Sequence, residues 1–165
     1  MIKYVLGLCL LGFVAGLFFF LENPLSAKEE NIKIQEVSVL TVDGDSVKIN
    51  EQNYPHKLIL NFYGTDCSLC MAEVNEIVSF SRKYKVGVLF VTADSVDSIN
   101  RFRHELEKQN ITDDHIMFAK ISLKNAYKLF GDLIVPQTIL LEDSLQVAGI
   151  KKGILSYSFL RKSFE

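Results

Sequence analysis

Segments with two different patterns of apolar and polar residues alternate along the chain. One pattern is typical of strands and the other is typical of helices. Nearly continuous apolar runs cover residues 58–63, 86–92 and 116–121, as expected of strands buried on both faces. After each run, apolar residues recur every three or four positions, which predicts a helix. Strands that alternate with helices form βαβ units, so at least one pair of these strands should be parallel.

Shorter strand patterns lie on either side of this central region. Residues 37–42 and 46–49 flank an Asp-Gly pair, which is typical of hairpin turns because such turns need positive φ. Residues 138–141 and 146–150 predict a second antiparallel pair, after which the apolar spacing predicts a last helix. The expected fold class is therefore α/β, with a central mixed β-sheet flanked by helices.

The third predicted helix has a clear start and a clear end. Ser122 is a residue type that caps helix starts, and Gly131 is a type that often follows helix ends. Apolar residues three and four positions apart share one side of a helix. We expect the inward side of this helix to consist of Leu123, Ala126, Tyr127 and Phe130.

The chain begins with a long apolar segment. Residues 4–21 carry no charge, and about 18 residues span roughly 27 Å as a helix, close to the hydrocarbon thickness of a bilayer. Lys3 precedes the segment and Glu22 follows it, so the positive-inside rule places the N-terminus in the cytoplasm. We interpret the segment as an uncleaved single-pass anchor in the cytoplasmic membrane, with a cleaved signal peptide as the alternative.

This interpretation divides the chain into three regions. Residues 1–21 form the predicted anchor, and residues 22–35, which are polar and charged, form a tether. Residues 36–165 form a folded domain on the extracytoplasmic (periplasmic) side. The 165-residue chain has 18 Lys+Arg and 20 Asp+Glu without a basic cluster, so the sequence gives no support for nucleic-acid binding.

The candidate chemistry lies where the first buried strand meets the first helix, at Cys67-Ser68-Leu69-Cys70. Two cysteines three positions apart at a helix start lie on the same turn, where their sulfurs can bond. Free N–H groups and the helix dipole would favour the thiolate of Cys67, which we expect to be the attacking sulfur. Cys70, one turn deeper, would be the resolving thiol. The pair predicts a dithiol/disulfide redox centre that requires no metal or organic cofactor.

Half of a zinc site is the alternative interpretation of this cysteine pair. A structural zinc site needs four ligands, but the only other cysteine is Cys9, in the apolar segment, and the three histidines are scattered. The ligand count therefore favours the redox centre.

The order of these features resembles the thioredoxin superfamily and, within it, the TlpA/ResA-like membrane-anchored thiol-disulfide oxidoreductases, over roughly residues 36–165. The matching features are the strand that leads into the cysteine pair, the opening hairpin, and Val135-Pro136 just before a strand. The resemblance implies a thioredoxin-like fold with an N-terminal β-hairpin extension and a cis peptide bond before Pro136, facing the cysteines. It also implies that the backbone of Val135 binds an extended substrate segment.

Three further positions bear on the chemistry that the resemblance implies. Glu73 matches a glutamate that the TlpA/ResA branch places three residues after the second cysteine, which implies an acid/base role. Asn61 stands where many thioredoxins carry a buried acid, and Asp66 stands where a tryptophan commonly precedes the first cysteine. A carboxylate close to Cys67 would oppose thiolate formation, which favours a reducing role.

The sequence therefore predicts an enzyme that exchanges disulfides with protein substrates. It would act as a reductant supplied by an upstream thiol donor. Two alternatives use the same fold, namely a thiol peroxidase-like redoxin and a copper-delivery protein. The copper protein would need a third ligand near Pro136, and the histidine preceding that loop, His115, lies 21 residues before it.

Overall fold

The structure is a computed structural model that describes residues 34–50, 54, 56–111 and 113–164. These residues belong to a compact unit that spans Lys33–Glu165. The predicted anchor, and the predicted tether before residue 34, lie outside the described residues. Within the described ranges, no helix combines the length and the apolar character needed to cross a bilayer.

Seven strands of the described chain form one mixed sheet in the order β2-β1-β5-β4-β3-β6-β7. Strands β3, β4 and β5 are mutually parallel neighbours, whereas the other pairs are antiparallel. The strands are β1 (Ser38–Thr41), β2 (Ser46–Lys48), β3 (Leu58–Phe62), β4 (Gly87–Thr92), β5 (Ile116–Lys120), β6 (Gln137–Leu141) and β7 (Val147–Lys152). The predicted mixed sheet, its parallel pairs and the opening hairpin are confirmed.

Four α-helices of the described residues flank the sheet. They are α1 (Ser68–Tyr84), α2 (Val96–Lys108), α3 (Leu123–Phe130) and α4 (Tyr157–Phe164), with short 3-10 turns at Ile34–Glu36 and Asp143–Leu145. The hydroxyls of Ser95 and Ser122 accept hydrogen bonds from N–H groups of the first turns of α2 and α3. Gly131 ends α3 with φ of 74°, a conformation that costs glycine little.

The centre of the sheet is buried along whole strands. All five residues of β3 and all five of β6 are buried, because the sheet is covered on both faces. Three of these buried residues are nevertheless polar, namely Asn61, Gln137 and Thr138. Buried polar side chains need hydrogen-bond partners. The partners of these three side chains lie close to the cysteine pair or to the loop beside it.

The inward side predicted for α3 is wrong at two of its four positions. Leu123 is 60% exposed and Tyr127 is 63% exposed. The buried stripe of this eight-residue helix instead runs through Ala126, Leu129 and Phe130, and the ring of Phe130 stacks on β3. A short helix can be apolar over more of its circumference than the sheet covers, so Leu123 and Tyr127 remain at the side.

Candidate active site

The cysteine pair lies at the start of α1, directly after β3. Cys67 is the N-cap of the helix, with extended backbone angles, and forms a disulfide with Cys70 across a Cα–Cα distance of 5.2 Å. The Cys70 backbone N–H donates a hydrogen bond to the Cys67 sulfur over 3.1 Å. An N–H group and the positive end of the helix dipole therefore both act on the sulfur that was predicted to be the nucleophile.

The two sulfurs differ in their access to solvent. Cys70 is 1% exposed, whereas Cys67 is partly buried and is followed by the exposed residues Ser68 and Leu69. A substrate sulfur approaching from solvent would therefore meet Cys67 first. This difference supports the predicted roles of an attacking Cys67 and a resolving Cys70.

Alkylation of the reduced protein should show the same difference in access. After brief treatment with iodoacetamide near neutral pH, we expect mass mapping to find the label on Cys67 at least about tenfold more often than on Cys70. Labelling of unfolded protein, in which both thiols are equally accessible, is the control. Preferential labelling of Cys70 in the folded protein would reverse the two roles.

The loop before β6 packs against the cysteine pair. The Val135–Pro136 peptide bond is cis, as expected from the resemblance. A Cβ atom built on Gly64 would lie 3.4 Å from both the Cys67 Cβ and a methyl carbon of Val135. The end of β3, the disulfide and the cis-proline loop therefore lie close together at Gly64.

The backbone of Val135 is open to a ligand. Within the described part of the chain, its N–H and C=O have no hydrogen-bond partner. The next carbonyl, that of Pro136, accepts a hydrogen bond from Gly153. Val135 thus offers both an unpaired N–H and an unpaired C=O beside the cysteine pair, which is the arrangement that strand addition by an extended peptide requires.

Glu73 is the buried acid of the site, one turn after Cys70 on the buried side of α1. It is 1% exposed, and its Oε1 accepts hydrogen bonds from the Leu155 N–H over 3.1 Å and from the Thr138 hydroxyl over 3.4 Å. Its Oε2 is buried without a partner among the described residues. Burial raises the pKa of Glu73 from 4.5 to about 7, although the hydrogen bonds from Leu155 and Thr138 and the nearby Asn61 amide act in the opposite direction.

Asn61 supports this carboxyl group indirectly. Its side-chain amide donates to the Thr138 hydroxyl over 2.9 Å, and that hydroxyl in turn donates to Glu73. Asn61 and Thr138 are register partners on β3 and β6 and therefore point to the same face of the sheet. The position that holds an acid in many thioredoxins here holds an amide, and Glu73 on α1 is the titratable group of the network.

A second carboxylate fixes the turn before the cysteines. One oxygen of Asp94, which follows β4, accepts from both the N–H and the hydroxyl of Thr65, over 2.8 and 2.7 Å. The two residues meet because the carboxyl ends of parallel strands lie at the same edge of a sheet. Burial raises the pKa of Asp94, but the hydrogen bonds from Thr65 and Thr92 outweigh it and leave the pKa below its ordinary value. Asp66, in contrast, is exposed.

The structure brings together the five residues that were assigned to the site from the sequence. Cys67, Cys70 and Glu73 lie along the first turns of α1, and the loop that holds Val135 and Pro136 lies against Cys67. Among the described residues, no three His, Cys, Asp or Glu side chains are grouped so that they could hold a metal ion. Sequence reasoning missed Thr138, Leu155 and Asp94, because their contacts depend on strand register and on a loop far along the chain.

Known proteins share this fold at low sequence identity. One similar structure is dsbF of MTB, with 18% identity, a TM-score of 0.65, and coverage of 80% of this chain and 94% of that one. Another is StoA from Bacillus subtilis, with 19% identity, a TM-score of 0.58, and coverage of 78% and 95%. A third is a secreted Mycobacterium tuberculosis disulfide oxidoreductase homologous to E. coli DsbE, with 12% identity, a TM-score of 0.60, and coverage of 79% and 94%. At these identities the structures establish a thioredoxin-like fold.

Comparison of the sequence itself with protein families gives a match as well. No curated protein sequence matches the chain. The model of the AhpC/TSA family matches residues 31–149, a segment that contains the cysteine pair, Glu73 and the cis-proline loop. This match covers more than half of the chain. Together with the fold and the Cys67–Cys70 disulfide, it shows that the protein is a thioredoxin-like thiol–disulfide oxidoreductase of the AhpC/TSA family.

Proposed function

We propose that this protein is a membrane-tethered, extracytoplasmic enzyme that reduces disulfides in protein substrates and is itself re-reduced by an upstream thiol donor. The observation that carries the proposal is the Cys67–Cys70 disulfide beside the unpaired backbone groups of Val135. A small thiol needs only the sulfur, whereas a polypeptide can also pair with the free N–H and C=O. The site is thus suited to a substrate that presents its disulfide within an extended segment.

The reaction proceeds through two exchanges and transfers two electrons. In the reduced enzyme, the Cys67 thiolate attacks one sulfur of the substrate disulfide, and the other substrate sulfur leaves as a thiolate. The buried Cys70 thiol then gives its proton to Glu73 and attacks the Cys67 sulfur. This second step releases the remaining substrate thiolate and forms the Cys67–Cys70 disulfide.

Glu73 suits the proton transfer because its pKa lies near neutrality. A carboxyl group with a pKa of about 7 is partly ionised at neutral pH and can both take and return a proton there. A buried thiol has no solvent water to accept its proton, so a base one turn away lowers the barrier for the attack by Cys70. In the reverse direction the same carboxyl group would return the proton.

The direct test is disulfide reduction with a protein substrate. Reduced enzyme with a thiol donor should reduce insulin much faster than the donor alone, and the redox potential of the Cys67–Cys70 pair should lie below that of insulin disulfides. Titration with copper and consumption of hydrogen peroxide distinguish the two alternatives. Rapid peroxide turnover or tight binding of one copper ion, without insulin reduction, would contradict the proposal.

The location of the enzyme is a separate prediction. Residues 4–21 are uncharged, and the flanking cation lies on their N-terminal side, which supports an anchor with the folded domain outside the cytoplasmic membrane. Protease added to spheroplasts should therefore digest the domain, while a cytoplasmic marker protein remains intact. A membrane-bound protein that is fully protected in intact spheroplasts would contradict this orientation.

A further inference from the structure

The side chain of Gln137 is fully buried, yet its hydrogen bonds all go to the cis-proline loop. Its Nε2 donates to the Ile134 carbonyl over 2.7 Å, to the Asp132 carbonyl over 3.4 Å, and to the Asp132 carboxylate. Three acceptors around one nitrogen fix which end of the amide is the NH₂ group. The Oε1 atom has no partner among the described residues. The Gln137 amide therefore has a buried oxygen without a partner, whereas its NH₂ group binds three acceptors of the loop.

Asp132 completes this arrangement from the outer side of the loop. Its carboxylate also accepts from the Ile134 N–H over 3.3 Å and forms an ion pair with Lys152, the register partner of Gln137 on β7. The hydrogen bond from Lys152 is the main cause of the low pKa of Asp132, which keeps this group an acceptor. The N–H and the C=O of Ile134 itself are thereby both occupied within the loop.

The contact with the Ile134 carbonyl determines the direction of a neighbouring group. The C=O of Ile134 and the N–H of Val135 belong to one peptide unit, and this unit is trans because the cis bond found in the described residues is the following one. In a trans peptide the C=O and the N–H point in opposite directions. Since the buried Gln137 amide holds the C=O on its own side, the Val135 N–H must point away from Gln137.

We infer that Gln137 is a positioning residue for substrate binding, because its amide orients the Ile134–Val135 peptide so that the Val135 N–H is presented to an extended protein substrate. The inference rests on the proposed function. It assigns the buried glutamine a role in recognition of polypeptides rather than in the exchange between sulfurs. Small disulfides, which do not pair with the loop backbone, do not depend on this residue.

The test compares two substrates in the full-length protein. Gln137→Met keeps the length of the side chain but removes both donors. For insulin we expect KM to rise by about tenfold with kcat nearly unchanged, because the loss affects a hydrogen bond that positions the substrate. The reaction of the reduced variant with a small aromatic disulfide should stay within about twofold of the parent.

Two further variants control for folding and for the neighbouring ion pair. Gln137→Asn retains a buried amide but is one methylene too short to reach both carbonyls. It should give the same change in the KM for insulin, and it takes the place of Gln137→Met in the test if that variant does not fold. Lys152→Met removes an exposed partner of Asp132 and leaves the carbonyl contacts in place. Since exposed ion pairs contribute little, its insulin kinetics should stay within about twofold of the parent.

The outcomes separate this inference from the proposed function. A parent enzyme that does not reduce insulin would contradict the proposed function itself. With an active parent, an insulin KM that is unchanged in a folded Gln137 variant would overturn the inference. Equal losses toward insulin and the small disulfide would also overturn it, because they would indicate a general effect on the fold of the site. A rise in KM confined to insulin supports it.

Discussion

Replacing Cys67 by serine should lower the rate of insulin reduction by at least about a thousandfold, to the rate of the thiol donor alone. Cys67 is the only sulfur of the pair with access to solvent, and the residue that replaces it has a hydroxyl group that does not form disulfides. The buried Cys70 cannot take over the first attack. The measurement is the initial rate of insulin reduction at a fixed concentration of donor.

Cys70→Ser is the matched variant for this experiment. It removes the second exchange and leaves the first, so Cys67 should remain joined to the substrate as a mixed disulfide. Mass spectrometry should then find an adduct on Cys67 in Cys70→Ser and none in Cys67→Ser. Adducts that form equally well in both variants would show that either sulfur can attack, and the order of exchange would have to be abandoned. The same variant can trap the natural substrate from cells.

The elements of the fold could be predicted because the signals that define them are local. The run of apolar residues in β4, the Asp-Gly turn after β1, and the serine caps of α2 and α3 each lie within a few residues of the structure that they specify. The side of α3 could not be predicted in the same way. Spacing shows that Leu123 and Tyr127 share a helix side, but only the position of the sheet decides which side is covered.

The residues of the site could likewise be predicted only where the signal is local. Cys67, Cys70 and the Val135-Pro136 pair belong to short motifs, so the sequence alone was sufficient to select them. The partners of Glu73 were not visible, because Thr138 contacts it through strand register and the Leu155 N–H through the connection between β7 and α4. Gln137 gave no signal in the sequence either. A glutamine after a proline is unremarkable until the fold places its amide against two carbonyls of the loop.

The buried carboxyl group of Glu73 should make the stability of the protein depend on pH. The pKa of Glu73 is about 7 in the folded protein and has its ordinary value of 4.5 in the unfolded chain. The folded state therefore binds this proton more tightly than the unfolded state. The stabilisation is fully present below about pH 4.5 and is lost as the pH rises through about 7. At about 1.4 kcal/mol per pKa unit, the full loss between these two pH values amounts to about 3 to 4 kcal/mol.

Glu73→Gln isolates this contribution because it keeps an acceptor for the Leu155 N–H and cannot ionise. The free energy of unfolding, measured by urea denaturation at several pH values, should be similar in parent and variant near pH 5. At about pH 8 the variant should be more stable than the parent by about 3 kcal/mol. Glu76→Gln, an exposed position three residues later on α1, should show no such difference and serves as the control.

Glu73→Gln should slow catalysis although it stabilises the fold. Without a base to accept the Cys70 proton, resolution of the mixed disulfide should slow by about a hundredfold near neutral pH, the range typical of lost general acid–base catalysis. In the parent this step should accelerate as the pH rises through about 7, because Glu73 becomes ionised, and in Glu73→Gln that dependence should disappear. Stopped-flow measurement of product thiolate release across this range gives the profile. A variant with the parental profile would show that Glu73 serves only to bind the Leu155 N–H, and the proton of Cys70 would have to leave by another route.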